Sequence, residues 1–120
     1  MSSKKYSLVF ESQKKFFESK ATLDISYRIN SIKKLKKQIQ LHENEIIKAL
    51  NKDLGKSLAE SYMSEIGIIY NEINYVLKKI KKWSKKRKVS SSLFNFLSTD
   101  YILPCPYGVT LNSSPWYYSF

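Results

Sequence analysis

The stretch SLAESYMSEIGIIYNEINYVLKKIKKW, residues 57–83, decides the fold class. Its residues Tyr62, Ile66, Ile69, Ile73, Val76, Ile80 and Trp83 recur at spacings of 4, 3, 4, 3, 4 and 3, which is one face of an α-helix. Ser57 with Glu60 three residues on is a capping-box pattern and sets the expected start. Lys81, Lys82, Lys85 and Lys86 close the segment, where cations oppose the negative end of the helix dipole. Gly67 inside it costs about 1 kcal/mol relative to Ala, which points to a close helix contact.

Upstream, Gly55 follows Leu54 directly, where a left-handed terminating residue belongs. Ile46, Ile47, Leu50 and Leu54 line the helix it ends. Ile25, Ile29, Ile32, Leu35 and Ile39, spaced 4, 3, 3 and 4, line the one before. Polar His42 and Glu43 interrupt the stripe and put a break near residues 42–44. A short first helix is expected over residues 7–19, with Val9, Phe10, Phe16 and Phe17 as its apolar side. Downstream the pattern changes, because Pro104, Pro106, Gly108 and Pro115 all fall in the last 17 positions. Residues 90–99 read as a polar linker docked on the helices through Leu93, Phe94, Phe96 and Leu97. Tyr101, Ile102 and Leu103 read as a strand that Pro104 and Pro106 confine to a sheet edge. Val109 to Asn112 reads as a second strand. The expected fold is mostly α with one or two C-terminal β-strands: a helical region over residues 1–99 and a strand-bearing piece over residues 100–120.

At 120 residues, 42% hydrophobic and 14% aromatic, the chain suits one domain with a modest core. No apolar run approaches the roughly 18 residues of a spanning helix, and residues 1–15 lack a secretory pattern. A single cysteine, Cys105, excludes an internal disulfide and a cysteine-based metal cluster. A cytoplasmic, metal-free protein is expected. The net charge is +11, from 21 basic and 10 acidic residues. Residues 1–40 hold 10 basic and 3 acidic side chains, residues 41–80 hold 5 and 6, and residues 81–120 hold 6 and 1. Only Arg28 and Arg87 are arginines, fewer than a reader of base edges or phosphates would use. A solvated basic exterior is the expected role, with nucleic acid and membrane surfaces disfavoured.

Candidates for chemistry are sparse. His42, the sole histidine, has no nucleophile or carboxylate partner at a telling spacing and reads as a surface or capping residue. Cys105 sits between two prolines without an obvious cation or helix N-terminus to lower its pKa, so it reads as an inert thiol. Glu60, Glu65 and Glu72 read as solvated flank positions rather than an acid–base pair. Glycine-rich phosphate loops are absent. On these residues alone, no assembled active site is visible.

An ordered set of stretches resembles the N-terminal part of the aldehyde dehydrogenase superfamily, closest to the class 3, fatty-aldehyde type. The carriers include Gln13 to Phe17, Tyr27–Arg28–Ile29, Ala49 to Lys56 with its Asp–Leu–Gly–Lys turn, and Tyr62 to Gly67. Glu72 to Leu77, Lys81–Lys82–Trp83, Pro106 to Val109 and Ser114 to Tyr118 complete the set. The resemblance implies the N-terminal piece of an α/β fold, with residues 100–120 supplying an edge strand and the first strand of an incomplete dinucleotide-binding domain. The family reaction would be oxidation of an aldehyde to a carboxylate with NAD or NADP.

In the family that first strand ends in a Pro–Trp–Asn–Tyr/Phe–Pro pattern beside the nicotinamide, with the Asn amide donating to the oxyanion. The resemblance therefore implies Ser114, Pro115 and Trp116 as cofactor-binding residues. Tyr117 occupies the oxyanion Asn position, Ser119 that of the following proline, and Asn112 and Ser113 replace large aliphatic residues. Cys105 does not match the family nucleophile. The catalytic cysteine and general-base glutamate have no counterpart in the 120 residues, so no catalytic residue is assigned and no metal is expected. The expectation is a truncated oxidoreductase, inactive as this chain alone and with no dinucleotide bound to it. Its expected partner is a separately encoded remainder or a second copy. The rival reading is a small basic helical interaction protein that binds a protein, nucleic acid or anionic membrane, using the Tyr62-to-Trp83 stripe or its basic ends.

Overall fold

The computed structural model describes residues 2–91, 94 and 97–113, with side chains from residue 6 onward. Helices dominate: α1 (Ser2–Glu18), α2 (Ile25–Leu41), α3 (Glu43–Leu54), α4 (Leu58–Ser61) and α5 (Gly67–Trp83). Two short strands follow, β1 (Arg87–Val89) and β2 (Asp100–Ile102).

Local chemistry places most helix ends. Lys20 takes a left-handed conformation (φ 62°) and turns the chain after α1 into a short 3-10 turn, Ala21–Leu23. Asp24 then caps α2, its carboxylate accepting from the backbone N–H of Ser26 at 3.0 Å and of Tyr27 at 3.2 Å. His42 separates α2 from α3, at the break expected from the interrupted stripe. Gly55 ends α3 at φ 68° and its N–H returns to the Asn51 carbonyl at 2.8 Å. Ser57 Oγ accepts from Glu60 N–H at 3.2 Å and opens α4. The first helix starts at Ser2, five residues before its expected start, because nothing between residues 2 and 7 breaks it.

The long segment after Ser57 is not one regular helix. A five-residue π-turn, Tyr62–Ile66, joins α4 to α5, and Gly67 N–H donates five residues back to the Tyr62 carbonyl. The wide turn slips the buried face by one residue. Ser61 and Glu65 are buried, whereas Tyr62, assigned to the core stripe by spacing, is 43% exposed. Glu65 is thus not a solvated flank residue. Gly67 also answers to the π-turn rather than to a second helix, since a Cβ there would lie 2.9 Å from the Tyr62 carbonyl oxygen.

The core is small and aliphatic. Ile39 of α2, Ile66 of the π-turn and Ile73 of α5 are buried together, with Ile32, Ile46, Ile47, Ile69, Tyr70 and Leu77 packed around them. Leu50 and Ile80 are the other buried apolar residues among those described. Polar ties reinforce the packing. Lys36 Nζ donates to Asn74 Oδ1 at 2.8 Å between α2 and α5, and Tyr70 Oη donates to Glu43 Oε2 at 2.7 Å between α5 and α3.

The strands differ in detail from expectation. β2 falls where a strand was expected, but its antiparallel partner is Arg87–Val89, with Arg87 opposite Ile102, Lys88 opposite Tyr101 and Val89 opposite Asp100. Residues 109–112 form no strand. Phe94 and Leu97 do not dock on the helices, being 96% and 88% exposed; Leu93 and Phe96 lie outside the described residues.

Candidate functional site

Two grooves flank the segment that leads to the family-matched strand end. Phe16 and Tyr27 meet with ring centroids 5.9 Å apart, joining the end of α1 to the start of α2. Pro106, Gly108 and Val109 line the apolar groove these rings share with Ile32 and Ile80. Gly108 takes φ 114°, a conformation L side chains rarely adopt, and a Cβ there would meet the Phe17 ring at 3.8 Å. Pro106 and Gly108 to Thr110 thus lie along a groove walled by residues of α1, α2 and α5. Ser114, Pro115 and Trp116, and Tyr117 at the oxyanion position, follow that segment and lie outside the described residues.

Cys105 is exposed, its Sγ 3.7 Å from the Leu103 carbonyl oxygen. The adjoining cleft is lined by Arg28, Trp83 and Ser84 among others, and among the described residues no His, Asp or Glu lines it. A thiol there has no base to take its proton, which a nucleophile requires. His42 Nδ1 lies 2.9 Å from Glu45 Oε2, both side chains exposed, at the α2–α3 junction. Glu60 and Glu72 are exposed.

Two partly buried polar pairs are not visible from residue spacing. Lys56, just past the Gly55 turn, forms an ion pair with Glu65 in the π-turn, whose side chain has no exposure. Tyr70 has its hydroxyl pushed up to about 12, first by burial, then by donating to Glu43 and by the nearby Glu43 and Tyr62 groups. A proton held that tightly serves a structural bond, not acid–base exchange near neutrality. The sequence signal for the first pair was Lys56 beside the turn; its partner was hidden by the phase slip.

Among the described residues no three His, Cys, Asp or Glu converge to hold a metal ion. A nicotinamide dinucleotide needs a glycine-rich turn opening a helix for its pyrophosphate. The described residues do not fit that need: Gly55 closes a helix, Gly67 continues the helical path from the π-turn into α5 with no loop before it, and Gly108 precedes irregular chain. No reaction step therefore runs through such a group here. No described helix is long and apolar enough to cross a membrane.

Comparison with known proteins agrees with the motifs. The chain is 40% identical over 111 residues to the 4,4'-diaponeurosporen-aldehyde dehydrogenase of Staphylococcus aureus (strain NCTC 8325 / PS 47), covering 92% of this chain and 24% of that protein. It is 35% identical over 112 residues to aldehyde dehydrogenase family 3 comG of Dictyostelium discoideum (93% and 24%). It is 36% identical over 104 residues to family 3 member H1 of Arabidopsis thaliana (87% and 22%). The solved substrate-bound state of Staphylococcus aureus AldH superposes with a TM-score of 0.76 at 40% identity, covering 78% of this chain and 20% of that one. The chain thus spans about a quarter of the length of the curated relatives it matches. The profile described as the aldehyde dehydrogenase family matches residues 1–120, and with the shared fold this places the chain in that family, among relatives of family 3.

Proposed function

We propose that these 120 residues supply the N-terminal helical part of an NAD(P)-dependent aldehyde dehydrogenase, and that they do not oxidise an aldehyde by themselves. The observation that carries this reading is the state of the only sulfur nucleophile available. Cys105 is exposed beside a cleft that no described His, Asp or Glu lines, and it does not match the family's attacking cysteine. Without a thiolate attack there is no covalent adduct and no hydride to pass to NAD(P)⁺. The role left to the described residues is positioning: α1, α2 and α5 form the groove that steers residues 106–110 toward the strand end. A cytoplasmic setting belongs to the same reading, supported by the free, exposed thiol.

The test is direct. The purified 120-residue chain, mixed with short- and long-chain aldehydes and either dinucleotide, is expected to give no NAD(P)H absorbance above the protein-free control. Aldehyde-dependent reduction by this chain alone overturns the proposal. The partner in this reading is a polypeptide carrying the cysteine-bearing remainder of the fold, or a second copy. Adding the corresponding remainder of a family 3 enzyme is expected to yield a stoichiometric complex, and failure to associate counts against that partner.

A further inference from the structure

The sequence of residues 57–83 fits two helical registers. An uninterrupted α-helix would place Tyr62 on the stripe of Ile66, Ile69 and Ile73 and so bury an aromatic ring. The π-turn puts Ser61 on that face instead. Ser61 is fully buried, its Oγ has no hydrogen-bond partner among the described residues, and Tyr62 is 43% exposed. By apolar burial and polar satisfaction alone the α register is the better one, since an orphaned hydroxyl costs free energy and an exposed ring forgoes it. A contact specific to the π register has to offset both.

The Lys56–Glu65 ion pair has the placement to do so. Lys56 precedes the Ser57 cap and Glu65 lies inside the π-turn, so the pair straddles the slip. Shifting α4 by one residue against α5 rotates it by about 100° and carries the ammonium away from the carboxylate. The Glu65 side chain has no exposure and that of Lys56 only 15%, so little water is at hand to replace the contact. Buried ion pairs add little net stability, and their best-attested role is to fix register. Gly67 permits the same state: its N–H donates to the Tyr62 carbonyl, and a Cβ there would stand 2.9 Å from that oxygen. We propose that Lys56 and Glu65 form a register lock, which holds residues 62–66 in the π-turn against an α alternative that the apolar pattern favours. The inference does not rest on the catalytic reading, and it invokes no exposed face.

Nuclear magnetic resonance couplings across hydrogen bonds, measured on the isotopically labelled 120-residue chain, read the register directly. In the wild type the Gly67 amide nitrogen is expected to couple to the Tyr62 carbonyl carbon, five residues back. The double substitution Lys56→Ala, Glu65→Ala strands no charge, and it is expected to move that coupling to Met63, four residues back. Lys56→Arg keeps the cation and the coupling to Tyr62. A second measurement uses Gly67→Ala. In the wild type it is expected to lower the folded-to-unfolded ratio about fivefold, read from urea unfolding. In the double-alanine background it is expected to raise that ratio about fivefold, because an α register leaves no carbonyl to crowd and alanine is the better helix former. A pair that only adds stability would leave the effect of Gly67→Ala unchanged. Coupling to Tyr62 retained in the double-alanine variant, the same Gly67→Ala cost in both backgrounds, or loss of helical circular dichroism in the double-alanine variant with and without Gly67→Ala would each overturn the proposal.

Discussion

Lys56 and Glu65 show how much one buried pair can matter in so small a core. The Glu65 side chain has no exposure and that of Lys56 only 15%, so removing the cation alone leaves a carboxylate away from water. Lys56→Met is expected to lower unfolding stability by about 3 kcal/mol, read from urea midpoints. The double variant Lys56→Met, Glu65→Leu should regain most of that loss, because it removes both desolvated charges together. A double variant no better than the single would show that the pair does not act as a unit. Tyr70 carries the pH dependence. Its folded-state hydroxyl is raised from the ordinary 10.0 to about 12, so the folded chain holds this proton more tightly than the unfolded one. Its contribution is complete below about pH 10 and lost as pH rises through about 12. Tyr70→Phe is expected to cost about 1 kcal/mol at neutral pH by deleting the bond to Glu43. The gap between wild type and variant should then close across that alkaline window.

At the scale of elements, the π-turn decides which residues are buried. Gly67 is tied to it by the absent Cβ, which would crowd the Tyr62 carbonyl oxygen at 2.9 Å. Gly67→Ala is therefore expected to destabilise by about 1 kcal/mol, although alanine is the better helix former by a similar amount. Ser61 gives the opposite sign. Its Oγ is buried with no hydrogen-bond partner, so Ser61→Ala should raise the urea midpoint by about 1 kcal/mol equivalent. The sign for Gly67→Ala reverses if residues 57–83 form an uninterrupted α-helix, since alanine would then gain its propensity with no carbonyl to crowd. That alternative is what the sequence alone supports, because spacings of 4 and 3 fit a continuous stripe and do not reveal a single slip in phase. Legible features were those set by local chemistry: the break at His42, the stop at Gly55 and the start at Ser57. β1 was not legible, since Arg87–Val89 lies inside a lysine run that reads as a helix end and pairs only with residues 11 to 15 positions on. The candidate site was legible through family motifs alone. Periodicity carries no information on Ser114 to Tyr117.

The whole molecule is extended for its length. Its radius of gyration is 20.0 Å, against about 14 Å for a compact chain of this size. Five apolar residues are buried among those described, while Leu8, Val9 and Phe10 of α1 and Leu35 of α2 are more than half exposed. Each large apolar side chain left in water forgoes about 1.5–3 kcal/mol relative to full burial, so an unpartnered chain has a strong drive to cover them. Two measurements follow from that imbalance. In dilute solution the urea slope of the monomer should fall below about 1 kcal/mol/M, under the usual range for small domains, because little surface is newly exposed on unfolding. With rising protein concentration the sedimentation coefficient should increase, and charge-introducing substitutions on α1, such as Val9→Glu with Phe10→Lys, should suppress the increase without lowering helicity. A concentration-independent monomer that unfolds in one steep transition would mean that these side chains are buried in solution. The extended arrangement of α1 against the rest of the molecule would then be wrong, and with it the need for a covering partner.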